Sequence, residues 1–86
     1  MEVLLLTFES VHHTMKTESD LKTKGYDFKT IPTPREITTS CGLAIMLSMD
    51  QLESMKALKE KLPIAHLWKY NKDENHAVEV LSEENL

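Results

Sequence analysis

Two uninterrupted apolar runs, Val3-Leu4-Leu5-Leu6 and Leu43-Ala44-Ile45-Met46-Leu47, constrain this 86-residue chain more than any other feature. Neither alternates with polar residues, as a strand with one wet face does, and both are too short for a stable helix. Each therefore predicts a strand buried on both faces, in the middle of a sheet. A chain of this length supports one domain, because two halves would each bury too little surface to fold. Both runs must then share one sheet.

The segments around them can be read from the same pattern. The first strand covers 2–8, and Ser10 suits the N-cap of a helix over Val11 to Lys24, with Val11, Met15 and Leu21 as its apolar stripe and Gly25 as its stop. Tyr26 to Ile31 mixes β-formers with Asp27 and Lys29 and runs into Pro32. That suits an edge strand, since proline donates nothing to a ladder. After the second apolar run, Asp50 opens a helix to Leu62, with Leu52, Met55, Leu58 and Leu62 on one face and Pro63 behind it. Ile64 to Tyr70 reads as a fourth strand and 71–75 as a turn. His76 to Leu81 fits either a short fifth strand or a loose acidic tail.

This order predicts the α+β class: a ferredoxin-like βαββαβ sandwich, its antiparallel sheet carrying two helices on one face. Residues 1–70 form the domain, and 71–86 the C-terminal turn with its short strand or acidic tail. Strands one and three should lie side by side at the centre. Both alternating sets of the first strand, Val3/Leu5 and Leu4/Leu6, are apolar, so the helix-free face also needs a cover. A homodimer packed through the sheets would supply it.

Charge and leader signals narrow the function. A net charge of −4 without a Lys/Arg block gives no electrostatic grip on a phosphate backbone, so nucleic acid is excluded as a partner. The apolar opening has no basic flank and is far too short for a signal peptide or a membrane span. A single cysteine has no intrachain disulfide partner, and the expected compartment is the cytoplasm.

That cysteine, Cys41, ends the loop Pro32-Thr33-Pro34-Arg35-Glu36-Ile37-Thr38-Thr39-Ser40-Cys41-Gly42. An antiparallel pairing of strands one and three brings the start of the third beside the N-terminus of helix one. Unpaired N–H groups there favour a thiolate by about 0.3–1 kcal/mol. Arg35 in the same loop adds a full charge, Gly42 and Ser40 flank the sulfur, and Pro32 and Pro34 shape the approach. His12, or its neighbour His13, is a candidate proton acceptor at the helix start. The competing reading is a small buried residue at a strand start, in a non-catalytic ferredoxin-like binding or regulatory module. No Cys-x-x-Cys or His-Glu-x-x-His spacing supports a metal, and no cofactor motif is present. Met15, Met46 and Met55 are read as core filling, and Trp68 and Tyr70 share one face of strand four.

The stretch from Ile31 through Ala44, together with Phe8-Glu9-Ser10-Val11-His12, resembles the signature of a small bacterial family described as putative Se/S carrier protein-like. With the element order, the resemblance covers most of residues 2–70. It implies that Cys41 bears sulfur or selenium as a persulfide-type adduct, with Arg35 and His12 in the surrounding motif. It also implies a stoichiometric carrier more than a turnover enzyme. The partners would be a donor such as a cysteine desulfurase-type enzyme and an acceptor protein.

Overall fold

The computed structural model describes residues 2–37 and 42–80. The elements run β1 (Glu2–Thr7), α1 (Val11–Thr23), β2 (Lys29–Pro32), β3 (Leu43–Leu47), a 3-10 turn (Met49–Gln51), α2 (Leu52–Leu58), β4 (His66–Asn71) and β5 (His76–Val80). One sheet takes all five strands in the order β2-β3-β1-β4-β5, with every neighbouring pair antiparallel. The fold is α+β, and the two apolar runs are adjacent inner strands as expected. No described helix is long and apolar enough to cross a membrane.

The strand count and order depart from the four-strand βαββαβ pattern, because 76–80 completes a hairpin with β4. Asn71 Oδ1 accepts the backbone N–H groups of Asp73 and Glu74, and Asn75 takes a left-handed φ of 51° to close the turn. The pairing then runs from Asn71↔His76 to Leu67↔Val80. Half-buried Ala77, Glu79 and Val80 explain why the pattern of this edge strand is faint in sequence.

Register divides the side chains into two layers. Leu4, Leu6, Ile45, Leu47 and Leu67 face one way and pack with Phe8, Leu21 of α1, Met55 of α2 and Ile64. Both helices thus cover the same face. Each fully buried leucine here contributes about 1.5–3 kcal/mol of transfer free energy. The other face presents Val3, Leu5, Ile31, Met46, Trp68, Tyr70 and Ala77, over which Ile37 is buried.

Helix one turns a different stripe inward from the one expected. Val11 is 48% and Met15 60% exposed, while Thr14, Thr17 and Leu21 are buried. Positions 14, 17 and 21 share a helical face as well as 11, 15 and 21 nearly do. Thr14 and Thr17 are thus enclosed where the longer Val11 and Met15 are not. Met46 is half-buried on the helix-free face, whereas Met55 is fully enclosed.

Several boundaries shift for local reasons. Tyr26 N donates to Leu21 O at 3.0 Å, which ties Tyr26 to the end of α1 and delays β2 to Lys29. Gly25 marks the stop as expected, with φ 83° just past the Lys24 C-cap. Regular α2 is confined to Leu52–Leu58, opened by the 3-10 turn and followed by turns in which Lys61 and Leu62 both donate to Leu58 O. Pro63 disfavours helical backbone at the residue before it. Ile64 N then bonds Leu62 O at 2.7 Å in a three-residue turn, so β4 starts at His66.

Candidate functional site

Ser10 forms the junction between β1 and α1. Its backbone is extended, and its Oγ accepts the His13 N–H at 3.3 Å. The Ser10 carbonyl takes the Thr14 N–H and the Thr14 hydroxyl, both at 3.2 Å. The first turn of α1 holds no acidic residue, so its positive end is not neutralised from within the turn. His12 is exposed here and His13 is half-buried.

The pairing Thr7↔Ala44 brings the end of β1 and the start of β3 to one end of the sheet. Gly42 therefore lies at the same end as Ser10, and its carbonyl accepts the Thr33 N–H at 3.0 Å, closing the neck of the β2–β3 loop. A Cβ at Gly42 would meet no described atom within 4 Å, and its φ is not left-handed. No close approach among the described residues requires this glycine. Cys41 and Ser40 lie outside the described residues.

Pro32 ends β2 opposite Leu43, and Pro34 begins a turn in which Ile37 N donates to Pro34 O at 3.1 Å. Arg35 is exposed at the tip of that turn, and its guanidinium has no hydrogen bond or ion pair among the described residues. The structure thus brings Ser10, His12 and Gly42 to one end of the sheet. Arg35 belongs to the turn beside Ile37, on the helix-free face.

The way this loop is held was not foreseen from sequence. Ile37 is 4% exposed against Leu5 and Tyr70. Next to it, the Tyr70 hydroxyl lies 3.3 Å from Glu36 Oε1 and 3.2 Å from Asn75 Oδ1, so its one proton is shared between two acceptors. Burial raises the Tyr70 phenol above its ordinary pKa, and the charge and hydrogen bond of Glu36 raise it further. Part of the helix-free face is therefore covered from within the chain. The only hint in sequence is a lone isoleucine in a polar loop.

Two further contacts border the same face. Trp68 Nε1 donates to Thr7 Oγ1 at 2.9 Å, which satisfies a hydroxyl with no solvent exposure. His66 Nδ1 pairs with Glu79 across β4 and β5, and its ring sits 6.0 Å from that of Trp68. Among the described residues no three His, Cys, Asp or Glu side chains gather to hold a metal ion.

A protein-family model described as Putative Se/S carrier protein-like matches residues 3–69. No curated protein and no solved structure matches the chain.

Proposed function

Because this chain belongs to the Se/S carrier protein-like family, we propose that it carries sulfur or selenium on the Cys41 thiol. The single observation behind this reading is the extent of the family match. It takes in the β1–α1 junction and the whole Pro32–Gly42 motif, including the only cysteine in the chain.

The chemistry is an exchange between sulfurs. The Cys41 thiolate attacks the outer, sulfane sulfur of a donor persulfide; a new S–S bond forms to Cys41, the donor S–S bond breaks, and the donor cysteine leaves as a thiolate. No net oxidation occurs, and the same exchange transfers selenium from a donor selenopersulfide. A second exchange delivers the atom to an acceptor protein. The thiol proton must leave first, and His12 is the proposed acceptor, with Arg35 and the N–H groups at the start of α1 stabilising the anion. Ser10 holds that helix start, and Gly42, with no Cβ, leaves room for the incoming sulfur. Ser40, Pro32 and Pro34 shape the loop.

The protein acts as a stoichiometric carrier between a cysteine desulfurase-type donor and its acceptor, in the cytoplasm. The β2-β3-β1-β4 order, with both helices on one face, supports a ferredoxin-like sandwich extended by β5. The part of the helix-free face not covered by Ile37 is the proposed homodimer contact, and a single monomeric mass by light scattering at high concentration would remove it. The carrier reading is tested by incubating the protein with a cysteine desulfurase and cysteine. A reducible one-atom adduct is expected on wild type and not on Cys41→Ser.

A further inference from the structure

Met15, Glu18 and Lys22 recur at helical spacing on one face of α1, and that face borders an open cavity of about 710 Å³ whose other wall is formed by residues 26–30. Small-molecule sites occupy about 300–1,000 Å³, so the space is large enough for a ligand of several linked groups. Its walls are tied together by the fold. Thr17 and Leu21 are fully buried and seat the helix on the sheet, Tyr26 N donates to Leu21 O at 3.0 Å, and the Thr30 hydroxyl donates to Glu18 Oε2, joining β2 to α1. Tyr26 and Phe28 pack against the core and are only half-buried, so each leaves apolar surface toward the cavity. Met15, 60% exposed, adds to that lining from the helix. Its unbranched, polarisable thioether suits a surface that receives apolar groups of varied shape.

The charges on the two walls do not meet. Lys24 pairs with Asp20 at 2.8 Å near the end of α1, but neither the Lys22 ammonium on one wall nor the Asp27 carboxylate on the other makes an ion pair or hydrogen bond among the described residues. Glu18 spends one oxygen on Thr30, and a carboxylate has further lone pairs to offer. A ligand of one sign would meet its match on one wall and a like charge on the other, whereas a ligand of both signs is complementary to both. Because the opposite charges stand on opposite walls, such a ligand spans the cavity.

We propose that this cavity binds a small apolar zwitterion of the short-peptide class. Its carboxylate meets Lys22, its ammonium meets Asp27 and Glu18, and its side chains rest on Met15, Tyr26 and Phe28. The site uses none of the residues of the carrier chemistry proposed above, so the two stand or fall separately.

The test is a titration of the full chain with leucyl-leucine, followed by amide NMR shifts. Saturable shifts are expected at residues 15–22 and 26–30. N-acetylation of the dipeptide removes its ammonium and C-terminal amidation removes its carboxylate, and each should weaken binding by about threefold, the size expected of an exposed ion pair. Lys22→Gln should weaken leucyl-leucine by the same factor and leave the affinity of the amidated form unchanged. Asp27→Asn should weaken leucyl-leucine and leave the N-acetylated form unchanged. Lys22, Asp27 and Met15 are all exposed, so their variants keep the fold. Met15→Gln should weaken every form of the peptide, because all three share the apolar body. The absence of saturable shifts with leucyl-leucine, equal affinity for its three forms, or saturable shifts confined to other residues would each overturn the proposal.

Discussion

The hydroxyl of Tyr70 on β4 lies 3.3 Å from the carboxylate of Glu36, a residue of the β2–β3 loop on the far side of the sheet's two central strands. The two residues are 34 positions apart in sequence. Their contact also joins a titrating group to the docking of the motif-bearing loop.

A pH dependence follows. Burial first, then the charge and hydrogen bond of Glu36, raise the Tyr70 phenol, so the folded protein holds this proton more tightly than the unfolded chain. The associated stability is fully present below the unfolded value of about 10 and is lost as pH rises through the higher folded value. Urea midpoints measured from pH 8 to 11 should fall more steeply above pH 10 in wild type than in Tyr70→Phe. Parallel curves for the two proteins would show that the phenol is not coupled to folding.

The threonine face of α1 makes a second prediction. Thr17 Oγ1 is buried without a hydrogen-bond partner among the described residues. An unsatisfied buried hydroxyl costs about 1–3 kcal/mol, and a methyl of the same shape removes that cost. Thr17→Val should therefore raise stability by about 1 kcal/mol in urea denaturation. A loss of stability would mean that the hydroxyl is satisfied, for example by a buried water.

Ser10 is the third. Its side chain caps α1 at the end of the sheet where Gly42 lies. Ser10→Ala should cost about 1 kcal/mol, while Ser10→Asp, which keeps an acceptor for the His13 N–H, should retain most of the stability. Equal losses in both variants would mean that the cap contributes nothing.

Across the sheet, Thr7→Val removes the acceptor of the Trp68 indole N–H while keeping the shape of the side chain. The unpaired donor should cost about 1–2 kcal/mol, and tryptophan emission should shift as the ring loses its anchor. An unchanged spectrum and midpoint would show that water replaces Thr7 at no cost.

The sheet was largely legible because Val3–Leu6 and Leu43–Leu47 admit only one placement, the adjacent inner strands they occupy. The stop at Gly25 was equally readable, since it follows from backbone geometry at one residue, whereas α2 ends at Leu58, short of the Leu62 that the apolar spacing and Pro63 suggest. The inward face of α1 was misread because threonine counts as polar, although Thr14 and Thr17 are buried. β5 was ambiguous because an edge strand buries little and shows little alternation. At the site, the Ser10 cap was visible as a local pattern. The burial of Ile37 was not, because it depends on the path of a loop over a sheet face, which no local spacing encodes.

The central claim, that Cys41 carries the atom, is tested most directly by intact mass with the adduct mapped to its peptide. Wild type and Cys41→Ser are each incubated with a cysteine desulfurase and cysteine, then measured before and after reductant. The account predicts a one-atom sulfur adduct on the Cys41 peptide of wild type, removed by reductant and missing from Cys41→Ser. An unmodified wild type, or an equal adduct on Cys41→Ser, would contradict it.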